Sequence, residues 1–225
     1  GSPRVYAELI ARGERCNQKT LEKCMREADL RAKSHRKFRV STTDSNHPHP
    51  IAPNIVNRDF KPSQRNETWT TDITYIPTRE GWLYLAVVED LFSRRIVGWS
   101  MQDSMTSQLV ADALMMAVWR RGKPMAALHH SDQGSQYTSK QFQDLLKEHG
   151  ITCSMSRAGE VWDNSAMESF FSSMKTERIA RKVYRSREQA RADVFDYIER
   201  FYNPRRRHST LGYVSPIQFE KAQEA

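Results

Sequence analysis

From Trp69 onward the chain alternates between two textures, and their order restricts the fold more than any other feature of the sequence. Trp69–Pro77, Trp82–Leu91 and Arg94–Met101 are rich in β-branched and aromatic residues, and the spacers Arg79-Glu80-Gly81 and Phe92-Ser93 are short enough for hairpins. Ser107–Arg120 then carries Leu109, Leu114, Met115 and Val118 at helical spacing. A short strand (Ala126–His130), a helix (Ser139–His149), a second short strand (Ile151–Ser156) and a longer helix (Asn164–Arg181) complete the series. Three meandering strands followed by alternating units predict an α/β domain with a mixed sheet and helices packed on its faces.

The flanks differ from this centre. Ser2-Pro3 and Asn17 suit the starts of two short helices, one with Val5, Leu9 and Ile10 on a face and one with Leu21, Met25 and Leu30, separated at Gly13. Two short helices across a tight break suit a helix-turn-helix, although a generic helical hairpin has the same pattern. Residues 41–50 are turn formers with two prolines, which predicts a linker, and His47 and His49 read there as loop histidines. The expected organisation is a helix-turn-helix-like segment over 1–33, a linker over 34–66, a catalytic core over 67–181 and a basic helical extension over 182–225.

Charge follows the same divisions. Residues 1–66 hold 14 Lys and Arg against 7 Asp and Glu, residues 67–180 hold 11 against 14, and residues 181–225 hold 10 against 6. Two basic flanks around a mildly acidic centre favour a polyanionic partner, with carboxylates left in the middle to hold cations. Three cysteines in no CxxC spacing argue against a disulfide framework or a four-ligand zinc site and suit a reducing cytoplasm. No apolar run approaches membrane-spanning length, so no membrane partner is expected.

Three acids stand out by position. Asp72 interrupts a strand between Thr71 and Ile73, where a charge facing a core would be costly. Asp132 follows an apolar strand, at the rim where open α/β sheets bind ligands. Glu168 shares a helix with Met167, Phe170, Phe171 and Met174, whose spacing marks a core stripe and leaves Glu168, Ser172 and Lys175 on an adjacent face. Any one of them alone reads as a surface or capping acid. Together, carboxylates from two strands and a helix are the oxygen-rich set that Mg²⁺ prefers and that in-line phosphoryl transfer at two ions requires. Exactly 35 residues separate Asp132 from Glu168.

Four ordered blocks then resemble one family. Trp69-Thr-Thr-Asp72-Ile-Thr-Tyr75, His130-Ser-Asp132-Gln-Gly134-Ser-Gln-Tyr137, Asp163-Asn164-Ser-Ala-Met-Glu168-Ser-Phe-Phe171 and the run from Phe201 to Pro216 are similar to transposases of the insertion-sequence three family, bacterial relatives of retroviral integrases. The resemblance implies a ribonuclease-H-like core, a mixed five-stranded sheet with helices on both faces, which periodicity alone leaves among several alternatives. It also implies Asp72, Asp132 and Glu168 as catalytic metal ligands, two Mg²⁺ ions for which Mn²⁺ substitutes, and double-stranded DNA as partner, both the element's terminal inverted repeats and the target. Assembly as a homo-oligomer on DNA and a bacterial, nucleoid-associated location follow from the same likeness. Lys175, seven residues after Glu168, matches a basic residue of the family and lies about 10 Å along the same helix face. Lys175, Arg205, Arg206 and Arg207 are the expected DNA contacts. The family's upstream end-binding region and coiled-coil segment have no visible counterpart here, so complete end recognition is expected to need more than this sequence.

Other residues carry plainer expectations. His129 and His130 have positioning or structural roles, and Ser131 lacks the spacing of a nucleophile. Tyr137 and Trp162 suit either stacking on a frayed base or packing at the core rim. Cys153 reads as a small strand residue. The competing functions are a catalytically silent DNA-binding regulator of the same descent and a hydrolytic nuclease of the same fold.

Overall fold

The structure, a computed structural model, describes residues 1–32, 50–57, 62–122, 127–157, 164–180 and 182–224. His47, His49, Trp162 and most of the expected linker lie outside the described residues.

Two helices open the chain, α1 (Ser2–Ala11) and α2 (Gln18–Glu27). Pro3 lies in the first turn of α1, and Asn17 caps α2 by accepting from the Lys19 N–H at 2.8 Å. Gly13 turns the chain between them at φ +83°, a left-handed conformation that costs glycine little. Neither helix buries a residue. Their apolar positions therefore do not form a core of their own, and the two short helices fall where the sequence places them.

The central strand β1 (Thr68–Thr78) pairs antiparallel with β2 (Gly81–Asp90), which pairs antiparallel with β3 (Arg95–Gln102). On its other side β1 pairs in parallel with β4 (Leu128–Ser131), which pairs in parallel with β5 (Thr152–Met155). The order β3-β2-β1-β4-β5 is a mixed five-stranded sheet.

Helix α3 (Ser107–Arg120), the short α4 (Ser135–Thr138) and α5 (Lys140–Glu148) cover one face, where Trp69, Ile73, Ala86, Leu114, Tyr137 and Phe142 share a core. β3 and α3 come so close that a Cβ at Gly98 would overlap the Ala113 carbonyl and Ala117, so glycine is required there. The other face is covered by α6 (Ser165–Met174) and α7 (Arg187–Phe195), through Ile76, Leu85, Val87, Phe170, Val194 and Ile198. Both helices run on into π turns, Lys175–Ile179 and Asp196–Tyr202. Helix α8 (Pro216–Gln223) ends the fold behind a capping box in which Ser215 and Gln218 satisfy each other's backbone N–H.

Side chains alternate along β1, so Trp69 and Ile73 face α3 while Thr70, Asp72 and Ile76 face α6. An acid on the α6 side of the central strand thus follows directly from the strand's period of two.

Candidate active site

The site lies at the carboxyl end of β4 beside the middle of β1. Thr70 and His130 are partners in the parallel register. Asp72 lies two residues beyond Thr70 within β1, and Asp132 lies two beyond His130, one residue past the end of β4, so the register directs both towards the carboxyl end of β4. Beyond β4 the chain turns sharply, because Asp132 Oδ1 accepts from the Gly134 N–H at 2.9 Å. A Cβ at Gly134 would stand 3.0 Å from that same oxygen, so the turn favours glycine. Asp72 Oδ1 accepts from the Ile73 N–H at 2.7 Å. Glu168, in the first turn of α6, is exposed.

Electrostatics joins the three. Asp72 is half-buried, and its carboxyl is pushed well above the usual carboxylate range. Burial is the main cause, the charge of Asp132 comes next, and Glu168 adds to it. The Ile73 N–H and Lys175 oppose the shift without cancelling it. Asp72 thus lies in the field of two other acids, with one lysine as counter-charge, an arrangement that a divalent cation would relieve. Among the described residues no three His, Cys, Asp or Glu side chains are gathered closely enough to hold a metal.

Lys175 opens the π turn that follows α6, so the spacing from Glu168 to Met174 is helical as expected. Its ammonium lies 5.1 Å from the centroid of the Tyr75 ring, and Tyr75 meets Trp82 edge-on at 4.9 Å. Burial pulls the Lys175 pKa down, and Asp72 opposes that shift. Lys175 therefore lies within the field of Asp72.

The three arginines separate. Arg205 is exposed. Arg206 is buried, with Nε reaching both Glu177 oxygens at 3.1 and 2.9 Å and a terminal nitrogen on Ser173 Oγ at 2.8 Å. Arg207 donates to Glu8 at 2.8 Å and to the Tyr213 carbonyl at 2.8 Å. The expectation of three arginines facing DNA is thus corrected for Arg206, which ties the π turn to the C-terminal segment. Arg207 is engaged by α1.

The histidines are structural. His129 is fully buried against Tyr137 and Phe142, and burial lowers its pKa to about 3, so it stays neutral. His130 Nδ1 lies 2.9 Å from Ser154 Oγ, bracing β4 against β5. Tyr137 is buried, which leaves it no face for a base, and Cys153 meets Gln143 at 3.4 Å. Asn164 received no role from the sequence, yet its side chain bonds to Thr70 and Thr71, beside Asp72. Its place just ahead of the helix that carries Glu168 is the one signal that pointed to it.

Sheet order and helices on both faces give the architecture of an integrase-like enzyme of polynucleotidyl-transferase type, with Asp72 in β1, Asp132 just past the end of β4 and Glu168 on α6. Residues 62–160 and 149–216 each match the integrase core domain, and residues 1–38 match an HTH-like domain. The chain is 49% identical over 220 residues to the transposase InsF for insertion sequence IS3A of Escherichia coli (strain K12), covering 98% of the chain and 76% of that relative. It is 41% identical over 221 residues to the insertion element IS600 31 kDa protein of Shigella sonnei, covering 98% and 81%. Among solved structures, a simian T-cell lymphotropic virus intasome matches with a TM-score of 0.59 at 16% identity, covering 95% of this chain and 69% of that one. The HTLV-2 integrase catalytic core domain in complex with magnesium (trimeric form) matches with 0.54 at 17% identity, covering 71% and 99%. These two likenesses concern the fold, which is ribonuclease-H-like. The chain belongs to the insertion-sequence three family of DNA transposases.

Proposed function

We propose that the chain catalyses metal-dependent DNA strand cleavage and strand transfer at the ends of its mobile element, with Asp72, Asp132 and Glu168 as catalytic metal ligands. The observation that supports this most directly is the 49% identity over 220 residues to the transposase InsF, and the placing of Asp72 in the field of Asp132 and Glu168 is in keeping with it. A donor set of three carboxylates suits hard cations, so Mg²⁺ is the proposed metal, as two ions, with Mn²⁺ as a substitute. Bound there, such ions would lower the pKa of an attacking water and stabilise the leaving oxygen in an in-line displacement.

The chain's own groups do the rest. Asp72 sets the reaction centre from within β1 and Asp132 from just past the end of β4, and Glu168 closes it from the helix. Lys175 places a point charge beside the centre for a phosphate of the DNA end. Water attacks one phosphodiester and releases a 3′-hydroxyl, and that hydroxyl then attacks a second phosphodiester, so no covalent protein–DNA intermediate forms. No histidine base is needed, in keeping with neutral, buried His129.

The proposed division into segments 1–33, 34–66, 67–181 and 182–225 assigns catalysis to the third and DNA holding to the basic flanks. Terminal inverted repeats and target DNA are the proposed partners, held by more than one copy of the chain. No described helix is long and apolar enough to cross a membrane, and a bacterial cytoplasm with access to the nucleoid is the proposed location.

Incubation with terminal DNA of the element and Mg²⁺, with strand-resolved analysis of products, tests the reading. Nicked ends followed by joined products are expected. Nicking without any joining would favour the hydrolytic nuclease, and binding without either would favour the silent regulator.

A further inference from the structure

Asn164 stands at the N-cap of α6 but does not cap it. An N-cap asparagine ordinarily accepts from a backbone N–H two or three residues on, as Asn17 does for α2. The Asn164 side chain turns away from its own helix. Its Oδ1 accepts from Thr70 Oγ1 at 2.8 Å, and its Nδ2 donates to the Thr71 carbonyl at 3.4 Å, the longer and weaker of the two. Asn164 is 9% exposed and Thr70 is 0% exposed, so both bonds are shielded from water.

The placement of these bonds matters more than their strength. Thr70 and Thr71 are the two residues ahead of Asp72, and Thr70 points to the same face of β1 as Asp72. Asn164 lies one helical turn ahead of Glu168, on the same side of α6. The pair Thr70–Asn164 therefore joins the strand that carries one acid to the helix that carries another, each bond standing one step from the acid. A stabilising cap has been given up for this link.

We infer that Asn164 is a positioning residue for the metal site, with Thr70 as its anchor, and that the link sets the separation between Asp72 and Glu168. The inference rests on the proposed role of Asp72, Asp132 and Glu168 as metal ligands. Mg²⁺ tolerates little departure from octahedral geometry, so a helix that shifts relative to the strand weakens its hold. Partners that orient metal ligands from behind typically change metal affinity about 10–100-fold when removed.

Asn164→Ala, Thr70→Val and Thr70→Ser would be compared with the unaltered chain. Two readouts are the Mg²⁺ concentration for half-maximal cleavage of terminal DNA and, independently of activity, the rise in melting temperature that Mg²⁺ or Ca²⁺ produces over EDTA. Asn164→Ala and Thr70→Val should each need about 10–100-fold more Mg²⁺ and show a smaller cation-induced rise at equal concentration. Thr70→Ser, which keeps the hydroxyl, should behave as the unaltered chain. Thr70→Val tests the link from the strand side if Asn164→Ala folds poorly. A lowered melting temperature in EDTA with an unchanged Mg²⁺ requirement in both variants would make the link merely structural and overturn the inference. Glu168→Gln separates the two levels. If it stays active, the metal-ligand reading falls and this inference falls with it. If it is inactive while Asn164→Ala and Thr70→Val respond normally to Mg²⁺, this inference alone falls.

Discussion

Strands β1 and β2 carry acids withdrawn from solvent at two places, and the two places are built on opposite principles. Trp69 is paired with Asp90, and three residue pairs further along Asp72 is paired with Val87. Around Asp90 the chain supplies its own counter-charges. Asp90 accepts from Arg121 at 3.1 Å, from the Asn66 N–H at 3.0 Å and from the Phe92 N–H at 3.1 Å. Glu220 on α8 accepts from Ser93 and Arg95, each at 2.6 Å, and shares the Arg121 guanidinium. At Asp72 the nearest charges of note are two further acids, with Lys175 as the opposing cation. Burial is the first cause of the raised pKa at both acids, but the second cause differs in sign. Arg121 pulls Asp90 back to about 6, whereas Asp132 pushes Asp72 further up. A cluster closed by its own arginines serves the fold, and one left with net negative charge is suited to an outside cation.

The largest expected effect comes from neutralising the open cluster. Asp72→Asn should lower cleavage and joining by about 10³-fold or more, since metal ions contribute several kcal/mol to such transition states. DNA binding should persist, because losing an acid also reduces repulsion of phosphate, and melting in EDTA should not worsen. Parallel loss of binding and cleavage would instead mean misfolding or a binding role for Asp72.

The closed cluster should respond in the opposite way. Arg121 is 7% exposed and serves both Asp90 and Glu220. Arg121→Met leaves two buried acids short of their shared partner, which should cost about 3–5 kcal/mol in urea unfolding. The Mg²⁺ requirement of any surviving folded protein should be unchanged. A shifted metal requirement would show that the two clusters communicate and would break the comparison.

Glu89 lies between these cases. It is 1% exposed, it pairs with Arg94 at 3.4 Å, and burial lifts its pKa from 4.5 to about 7. Arg94 pulls that value down, Asp90 raises it and Arg206 lowers it slightly. An acid whose folded pKa exceeds its unfolded value costs nothing below about pH 4.5, where both states are protonated. The cost grows as pH rises towards 7 and is complete above it, reaching about 3 kcal/mol at most. Glu89→Gln should therefore match the unaltered chain near pH 4.5 and exceed it by about 1–3 kcal/mol at pH 8, measured by denaturant unfolding. A variant that is less stable at both pH values would show that the Arg94 pair outweighs burial.

Sequence reading reached the open cluster and missed the closed one for a definable reason. Asp72 stands out as a charge inside a strand, but Glu89 and Asp90 meet the same test at the end of Trp82–Leu91, so the test alone does not tell the two clusters apart. What separates them is a set of partners on β3, α3 and α8, distant in sequence and visible only when folded. Strand textures and the helix Ser107–Arg120 were legible because periodicity is local, and α3 spans those same residues. The π turns were not legible, since a single extra residue per turn scarcely alters a hydrophobic pattern. Asn164 could be read as a cap, but its cross-strand bonds depend on how α6 sits against β1.

The smallest expected effect concerns cations, where the same contrast recurs within three consecutive residues. Arg205, Arg206 and Arg207 are identical as sequence and differ only in what they meet. Glu177 holds Arg206, Glu8 holds Arg207, and Arg205 stands exposed. A phosphate contact appears as salt dependence, because each neutralised phosphate releases counterions. Arg205→Ala should flatten the slope of log binding constant against log salt by about 0.9 if Arg205 meets one phosphate of duplex DNA. Arg206→Ala should instead lower stability, since Glu177 loses a buried partner, and leave the slope nearly unchanged. Fluorescence anisotropy at several salt concentrations, beside thermal melts, separates these outcomes. Equal flattening by Arg205→Ala and Arg206→Ala would mean that DNA draws Arg206 away from Glu177. The ion pairs of the C-terminal segment would then be a resting arrangement that DNA rearranges, and internal pairing would cease to distinguish structural from functional charge at this end of the molecule.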